Sequence, residues 1–545
     1  MTPARPVRHF GDSAVVIDVT SVEEAHAVAA SIDGTASAGL EDVIVGYRSV
    51  TVVADPTVTD LTRLAETLAS LASLAPGVAR LSAGKLVEIP VNLDGSDLDE
   101  VARLAGMSPR RVVDLLTGAD LQVAFVGFAP GFAYLVGLDP DLAAVPRRPT
   151  PRPAVPAGSV ALAGGFAGIY PQTSPGGWHL VGRTGTRLFD PGTAPYSVLQ
   201  AGDVVRLRLA EAAGDADVGE LGRTSPSAAR PPLRSDAGRT MVVEDPGLLT
   251  FVQDGGRLGV ARLGVPRAGA ADPFALRTAN RLVGNHERAA ALEATARGPA
   301  LRFSASVHVA VVGAATVRLD GRGVPTDAVV PVAAGQTVSM GTLHQGLRAY
   351  IAVSGGIDIP PVIGSRSSDV LCGLGAGPLV GGDALGLGPP GRPRGRSLRT
   401  PLSGAAAPLR VMAGPDTFPP STVERLLSTI WEVDPTSNRI GVRLRAESPL
   451  EILGAGIDSR GMVSGAIQLP PDGQPIVLLC DHATVGGYPV IATVVSADLG
   501  LLGQLRPGDA VRFHRVDLVE AVRARAERER EISDGVVGWY PVRTD

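Results

Sequence analysis

The chain has 545 residues, of which 45% are hydrophobic and 19% are charged, and its formal net charge is −5. A protein that binds nucleic acid nonspecifically carries a basic surface that neutralises phosphates, so this composition argues against a nucleic-acid partner. Two cysteines far apart in sequence and a single lysine, Lys85, exclude a CxxC metal or redox motif, a P-loop and a biotinyl-lysine carrier.

The first predicted unit, residues 1–84, is a small α+β domain. Residues 14–19 and 43–53 have the short apolar runs of strands. Residues 22–32 have helical spacing, and the leucines that follow Leu61 fall on one face of a second helix. This unit precedes a longer region of different character.

Residues 85–210 are predicted to form a β-barrel that begins with a strand at 86–91 and two short helices. The helix pair superficially resembles a helix-turn-helix motif, for which Arg110 and Arg111 would contact DNA. The acidic net charge favours the other interpretation, an ordinary helical hairpin on a β-domain. Residues 211–238 are rich in Ala, Gly, Pro, Ser and charge, and they lack apolar periodicity, so we predict a linker.

Residues 239–515 are predicted to form a third region of short strands broken by glycine and proline, with helices at 273–283 and 421–431. The tail, residues 516–545, contains a charged amphipathic helix that we interpret as a solvated surface helix. A Gly-Asp or Gly-Gln turn that feeds an alternating strand recurs through the chain, which is typical of β-barrels. These turns are Gly202-Asp203, Gly335-Gln336, Gly382-Asp383 and Gly508-Asp509.

Two motifs in the first half have the composition of a ligand site. Residues 127–135 alternate aromatic and small side chains, which either wall a small-ligand pocket or fill a barrel core. Residues 169–184 contain a Ser-Pro-Gly-Gly loop whose amides can form an anion-binding nest, followed by an arginine with a forked donor. A hairpin turn with a buried tryptophan is the alternative. The candidate residues are Phe132, Tyr134, Pro175, Gly176, Gly177, Trp178 and Arg183.

The second half has polar residues beside a glycine-rich turn and around the predicted strand 475–480. Short polar residues next to such turns often serve the turns alone, and this alternative stays open for each of them. Asn285 is predicted to cap a helix, Cys480 to be a buried small hydrophobe and His482 to be structural. The candidate site residues are Gln253, Asp254, Arg257, Gln468, Asp481, Thr484 and Tyr488.

The two motifs of the first half, with PRRPTPRPAVPAGSVALAGG between them, resemble the B-type subunits of the bacterial ATP-dependent 5-oxoprolinase, a family also named allophanate hydrolase subunit 1. Over residues 240–515, segments such as TANRLVGN, VIGSRSSDV and CDHATVGGYPVIATVVSADL resemble the companion family of C-type subunits, allophanate hydrolase subunit 2, in the order expected there. The resemblance implies a mostly β fold with α+β parts, in which tandem cyclophilin-like β-barrels follow a small α+β domain.

The resemblance also implies a function. The chain is expected to be a hydrolase component that activates 5-oxoproline, a cyclic amide, for hydrolysis to glutamate, with ATP and Mg²⁺ and together with a separate A-type subunit. Phosphoryl transfer requires anion donors, for which Arg183, the amides of residues 175–177 and Arg257 are candidates. Asp254 or Asp481 is the candidate carboxylate for a metal ion.

Two other functions use the same domain types. Carboxyl transfer, as in urea carboxylase, is disfavoured because the chain lacks a biotin carboxylase domain and a biotinyl lysine. Regulation of a histidine kinase is disfavoured because inhibitor-like and antagonist-like parts occur in one chain. We expect a small-molecule substrate bound where the two halves face each other, with the aromatic motif and Arg183 opposite Gln253, Asp254 and Asp481. We also expect a cytoplasmic location without a membrane partner, and a homo-oligomer is compatible with the sequence.

Overall fold

The computed structural model describes residues 7–33, 39–74, 84–210, 233, 238–393, 397–398, 408–452 and 456–537. The predicted linker, 211–238, lies outside the described residues apart from residues 233 and 238. Within the described part, the chain forms four successive units, each with its own hydrophobic core. No described helix is both long and apolar enough to cross a membrane.

The first unit is the small α+β domain expected from the sequence. Its elements are β1 (Val7–His9), β2 (Ala14–Asp18), α1 (Val22–Asp33), β3 (Leu40–Val45), β4 (Ser49–Ala54) and α2 (Leu61–Leu74). The strands form an antiparallel sheet in the order β1-β2-β4-β3. The apolar faces of the two helices cover one side of this sheet, because Val28 and Leu68 pack with Val15 and Val52 in one buried core.

The second unit is the barrel of the first half. Its elements are β5 (Leu86–Val91), α3 (Leu98–Leu104), α4 (Pro109–Gly118), β6 (Leu121–Val126), β7 (Ala133–Val136), α5 (Pro140–Ala143), β8 (Arg152–Val155), β9 (Ser159–Ala163), β10 (Phe166–Ile169), β11 (Ser174–Gly176), β12 (His179–Arg183) and β13 (Val204–Leu209). Seven strands form one sheet in the order β12-β9-β10-β7-β6-β13-β5, and β8 pairs with β11. The hairpin of α3 and α4 packs on this core through Val101, Val112 and Leu116, so these helices have a structural role here.

The third unit begins the second half. Its elements are β14 (Thr240–Asp245), β15 (Leu249–Gln253), a 3-10 turn (Ala261–Leu263), α6 (Pro273–Leu282), β16 (Ala291–Thr295), β17 (Ala300–Phe303), β18 (Val307–Val312), β19 (Ala315–Leu319), β20 (Arg322–Val324), β21 (Val329–Val332), β22 (Thr337–Leu343), β23 (Arg348–Val353), β24 (Ala384–Gly386) and β25 (Ser397–Leu398). A six-stranded sheet in the order β20-β19-β22-β17-β14-β24 faces a five-stranded sheet in the order β15-β16-β23-β18-β21. Their shared core includes Leu292, Leu301 and Phe303.

The fourth unit completes the second half. Its elements are β26 (Leu409–Ala413), α7 (Pro420–Ser428), β27 (Trp431–Val433), β28 (Gly441–Arg445), β29 (Arg460–Gly461), β30 (Ala466–Gln468), β31 (Ile476–Leu478), β32 (Val485–Gly486), β33 (Val490–Val494), a 3-10 turn (Ser496–Asp498), α8 (Leu499–Gln504), β34 (Ala510–Val511), β35 (Phe513–Arg515), α9 (Leu518–Gly535) and β36 (Val536–Val537). Eight strands form one sheet in the order β34-β27-β28-β31-β30-β33-β26-β35. Two of the sheets in the molecule are nearly closed and barrel-like, which confirms the predicted mostly β, tandem-barrel fold.

The four recurring turns share one hydrogen-bond pattern. In each, the side-chain oxygen that follows the glycine accepts from the backbone N–H three residues earlier, at 2.7–2.9 Å. The glycines of all four turns have φ between +84° and +91°, a region that favours glycine. The acceptor residues are Asp203, Gln336, Asp383 and Asp509. The repeat seen in the sequence is therefore a repeated turn before a strand.

The ends of α6 explain how this helix is placed. Asp272 accepts from the N–H groups of Phe274 and Ala275 at 3.2 and 3.0 Å, which caps the start of the helix. At the other end, Gly284 has φ +79° and the Asn285 N–H donates to the Asn280 carbonyl at 2.9 Å. This Schellman closure confirms the predicted cap at Asn285.

Two helix predictions need correction. The helix predicted over 421–431 ends at Ser428, because Trp431 belongs to β27 and pairs with Val511. The interpretation of α9 as a solvated surface helix is wrong. Its residues Ala521, Ala524 and Ile532 are buried, and Glu529 forms two hydrogen bonds, at 2.7 and 2.6 Å, with the Arg277 guanidinium of α6.

Candidate functional site

A cavity of about 590 Å³ lies where the first unit, the third unit, the fourth unit and α9 meet. This volume falls within the range of small-molecule sites. Its polar lining comes from segments separated by hundreds of residues. The ionisable and hydroxyl side chains of the lining include Glu41, Asp42, Asp55, Asp254, Arg267, Arg277, Glu287, Arg288, Cys480, His482, Thr484 and Arg525.

The first unit closes the cavity by docking on the second half. The Asp42 carboxylate accepts from the Ala261 N–H at 3.0 Å, and the Gly259 N–H donates to the Glu41 carbonyl at 2.9 Å. The Glu41 carboxylate forms an ion pair with Arg267 across the same boundary. These contacts make the cavity a joint product of both halves of the chain.

The buried Asp42 predicts a pH effect on stability. Burial raises the pKa of Asp42 to about 6, although the backbone N–H groups of Ala261 and Gly259 oppose this shift. The folded state therefore binds a proton more readily than the unfolded chain, and this contribution to stability is lost as the pH rises through 6. Between pH 4 and 7, Asp42→Asn should gain about 3 kcal/mol in free energy of unfolding relative to the wild type.

Urea denaturation at several pH values measures this difference, since an asparagine oxygen still accepts from Ala261 but carries no charge. The exposed Asp114 offers a matched control. Asp114→Asn, a substitution at the surface, should leave the free energy of unfolding within about 0.5 kcal/mol of the wild type. A constant offset between Asp42→Asn and the wild type would contradict the prediction.

Asp254 lines the cavity but its carboxylate holds a turn together. One oxygen accepts from the Ser365 and Ser367 hydroxyls at 2.6 Å each and from the Gly256 N–H at 2.8 Å. The other accepts from the Arg366 N–H at 2.7 Å. Both oxygens are therefore engaged by protein donors, and Asp254 does not fit the predicted role of a Mg²⁺ ligand.

Asp481 lies behind the cavity wall in a buried ion cluster. Arg439 donates to its two carboxylate oxygens at 3.0 and 2.9 Å and also forms an ion pair with Glu293. Glu293 and Asp481 are fully buried, and Arg439 is 5% exposed. The Val370 N–H donates to the same carboxylate at 3.2 Å, so Asp481 does not fit the role of a metal ligand either. The described residues contain no group of three or more His, Cys, Asp or Glu side chains placed to hold a metal.

The neighbouring candidates of the second half are buried away from the cavity. The Gln253 amide donates to the Ser368 carbonyl at 2.9 Å, and the Arg257 guanidinium donates to the Ser367 carbonyl at 2.6 Å. Arg257 is 1% exposed, and burial lowers its pKa. These side chains hold the loop that carries Ser367, and neither Gln253 nor Arg257 lines the cavity.

The remaining candidates of the second half differ in position. Thr484 lines the cavity, and its hydroxyl has no partner among the described residues. Gln468 is buried against Met462, whereas Tyr488 is 43% exposed on the surface. Ligand contact remains a prediction for Thr484 and for Asp254, the two candidates that the structure brings to the cavity.

The aromatic motif of the first half fills a packed core. The Phe132 ring lies at centroid distances of 5.1 Å from Tyr134, 5.2 Å from Tyr170 and 5.5 Å from Trp178. Burial raises the pKa of Tyr170 to about 12. The structure therefore favours a packed core over a pocket wall, and this core lies between the barrel and the neighbouring units, because it also contains Ile44 and Val485.

The loop of residues 174–177 and Arg183 also lie outside the cavity. Pro175 and Gly176 belong to β11, which pairs with β8, and a side chain at Gly176 would collide with the Tyr170 hydroxyl. Gly177 follows β11, and Arg183 pairs with Asp94 at 2.8 Å on the surface, where it is 52% exposed. The structure does not bring Arg183 together with Asp254 or Asp481 around this cavity.

His482 is an acceptor in the cavity wall, although the sequence predicted a structural role for it. Its Nδ1 lies 2.7 Å from the Ala483 carbonyl oxygen. A carbonyl only accepts, so Nδ1 carries the proton and Nε2 of the neutral ring is an acceptor. Burial lowers the pKa of His482, which keeps the ring neutral at neutral pH. A lone histidine in an Asp-His-Ala segment gives no sequence signal for this role.

The cavity arginines were also missed from the sequence. Arg267, Arg288 and Arg525 are 3 of 50 basic residues, and none stands in a recognisable motif. Only the tertiary fold brings them together with His482, so no local pattern could have identified them.

Two protein-family models match the two halves of the chain. Residues 6–199 match the model described as carboxyltransferase domain, subdomain C and D, and residues 263–515 match carboxyltransferase domain, subdomain A and B. The chain is 37% identical over 292 residues to the C subunit of 5-oxoprolinase from Escherichia coli (strain K12), covering 52% of this chain and 94% of that protein. It is 46% identical over 131 residues to the B subunit of 5-oxoprolinase from Bacillus subtilis (strain 168), covering 23% of this chain and 54% of that protein.

Solved structures extend this similarity over the whole fold. A crystal structure of the protein TTHA0988 superposes with a TM-score of 0.82 at 34% identity, covering 93% of this chain and 100% of that one. The urea carboxylase of Kluyveromyces lactis superposes with a TM-score of 0.50 at 27% identity, covering 60% of this chain and 32% of that one. The chain therefore belongs to the family of the 5-oxoprolinase C subunit through its second half, and its first half is similar to 5-oxoprolinase B subunits, so that B-like and C-like carboxyltransferase-type domains are joined in one polypeptide.

Proposed function

We propose that this chain is the substrate-handling component of an ATP-dependent 5-oxoprolinase, which binds 5-oxoproline and presents it for hydrolysis to glutamate together with a separate A-type subunit. The observation that supports the proposal is the cavity itself. Glu41 and Asp42 of the B-type half meet Arg267 and Ala261 of the C-type half at its wall. A site that needs both halves accounts for the two families occurring together.

The cavity can position a lactam. The N–H of 5-oxoproline is a donor, and the Nε2 of neutral His482 is the matching acceptor in the cavity wall. Thr484 lines the same wall, and its buried hydroxyl has no hydrogen-bond partner among the described residues. Binding through these groups orients the ring without breaking the amide bond.

Opening the amide needs a positioned water, a general base and stabilisation of the oxyanion. The aspartates that line the cavity already accept hydrogen bonds from the protein: Asp42 from Ala261, Asp55 from the Thr57 N–H and hydroxyl, and Asp254 from two serines. We therefore assign the hydrolytic step to the complex with the A-type subunit. No step is assigned to ATP or Mg²⁺ held by this chain, because Asp254 and Asp481 do not fit a metal site.

The proposal predicts that the pure chain, mixed with ATP, Mg²⁺ and 5-oxoproline, releases no glutamate above the enzyme-free rate. Addition of a cognate A-type subunit should start glutamate release, measured with a coupled glutamate dehydrogenase assay. Asp114→Asn, at an exposed position outside the cavity lining, serves as a folded control. Robust release by the chain on its own would show that it holds a complete hydrolytic site.

Carboxyl transfer is the second candidate, favoured by the fold similarity to urea carboxylase. The same purified chain can be tested with carboxybiotin and urea or 5-oxoproline as acceptors. Loss of the carboxyl group from carboxybiotin that depends on the acceptor would support carboxyl transfer and contradict the 5-oxoprolinase proposal.

A further inference from the structure

The tail helix α9 forms one wall of the cavity. It lies after residue 515, where the matched carboxyltransferase segment ends. The ion pair between Arg277 and Glu529 and the buried side chains of Ala521 and Ala524 hold α9 against the rest of the second half. This helix therefore adds a surface to the site that the matched family segments do not include.

Arg525 is the side chain that α9 contributes to the cavity. Its guanidinium lies 5.0 Å from the centre of the Phe274 ring, and one of its terminal nitrogens pairs with Glu529 at 3.0 Å. Its Nε is buried and has no hydrogen-bond partner among the described residues. The ring, Glu529 and the Ser496 carbonyl, which accepts from a terminal nitrogen at 3.5 Å, fix the orientation of the guanidinium.

Arg288 faces the same cavity from the loop after α6. It donates to the Gly255 carbonyl at 2.9 Å, and among the described residues no carboxylate lies within ion-pairing distance of it. The cavity's other arginines differ in this respect, since Arg267 pairs with Glu41 and Arg277 pairs with Glu287 and Glu529. Arg288 is thus a partly buried guanidinium whose close counter-charge is missing.

Among the described residues, no acidic side chain of the cavity forms a close ion pair with Arg288, although Glu41, Asp254 and Asp55 act on it at longer range. Asp55, which interacts electrostatically with both Arg288 and Arg525, is turned to the Thr57 N–H and hydroxyl at 2.8 and 2.6 Å. Glu287 is taken up by Arg277 and Arg281. A carboxylate brought by a ligand would complete the pairing, because forked guanidinium donors match a carboxylate group.

We propose that Arg288 and Arg525 form a carboxylate-recognition site in this cavity, so that α9 contributes to the choice of cyclic amide. The identity of the ligand, 5-oxoproline, rests on the proposed function. The two arginines bind its carboxylate, and a neutral lactam of the same ring size is rejected. Arg288 makes the larger contribution because it has no ion-pair partner of its own among the described residues.

Isothermal titration of the full chain tests the site with two probes, 5-oxoproline and the uncharged 2-pyrrolidinone. Arg288→Gln should weaken 5-oxoproline binding roughly 10- to 100-fold, and Arg525→Gln about 3- to 10-fold, as expected for hydrogen bonds to a charged group. The wild type should bind 2-pyrrolidinone at least about tenfold more weakly than 5-oxoproline, for the same reason. Arg523→Gln is the matched control, because Arg523 lies exposed on α9.

Three outcomes separate this site from the proposed function. Binding of 5-oxoproline that is lost in both variants, without glutamate release by the wild type in the presence of the A-type subunit, supports the carboxylate site and contradicts only the reaction. Unchanged binding in both variants, with thermal unfolding like the wild type, overturns the site whatever the assay shows. Absence of 5-oxoproline binding to the wild type overturns both.

Discussion

Arg439→Met is expected to lower the free energy of unfolding by about 3–5 kcal/mol, because it leaves Asp481 buried without its counter-charge and leaves Glu293 with Arg348 alone as its ion-pair partner. Arg439 also donates to the Gly269 carbonyl at 2.5 Å and lies 3.1 Å from the Cys480 sulfur. It thereby joins the third unit, which carries Glu293 and Gly269, to the fourth, which carries Asp481. Urea denaturation of the whole chain measures the loss.

A rescue variant and a control make this result specific. Adding Asp481→Asn to Arg439→Met should recover much of the loss, since Glu293 keeps its ion pair with Arg348 and Asp481 no longer carries an uncompensated charge. Arg443→Met, at an exposed position in β28, should leave the denaturation midpoint unchanged. A midpoint for Arg439→Met like that of the wild type would mean that solvent reaches the cluster and that the ion pairs contribute little.

Phe132→Ala is expected to cost about 3–5 kcal/mol in free energy of unfolding, as for a large aromatic removed from a core. Phe132 is 2% exposed and packs edge-on against Phe128, Tyr134, Tyr170 and Trp178. Its removal leaves a cavity that the remaining rings cannot fill without leaving their favoured geometry. Thermal and urea denaturation should show the loss directly.

The same variant separates the two interpretations of the aromatic motif. Tyr488→Ala, at an exposed position, is the matched aromatic control and should keep the stability of the wild type. If Phe132→Ala unfolds like the wild type but no longer binds 5-oxoproline, Phe132 walls a ligand site and its assignment to the core is wrong.

Local patterns predicted the elements well where the local sequence decides them. The strand at 86–91 and the helix that begins at Val22 match their apolar spacing. The predicted end of the helix at Trp431 was wrong, because Trp431 lies in a strand and pairs with Val511, 80 residues later. The helical pattern of α9 was clear, but its buried face depends on Arg277 and Phe274, which no local window contains.

The site was less predictable than the fold. Motif reasoning selected polar residues beside glycine turns, and most of these, such as Asp254 with its serines, hold the turns themselves. The cavity uses single residues from four distant segments, among them Asp42, Arg288, His482 and Arg525. Their proximity results from the docking of whole units, so spacing along the chain carried no information about it.

The docking of residues 7–74 on the second half has a consequence for assembly. Asp12 of the first unit accepts from the Ser496 N–H and hydroxyl at 2.8 and 2.6 Å, and Arg48 donates to Asp458 at 2.7 Å. In a single polypeptide these contacts form at an effective concentration that is typically in the millimolar range for flexibly joined partners. Two separate chains would have to be made in equal amounts and would come apart on dilution. The fused chain keeps a one-to-one ratio at any dilution, and its cavity wall stays assembled at copy numbers too low to hold a two-chain complex.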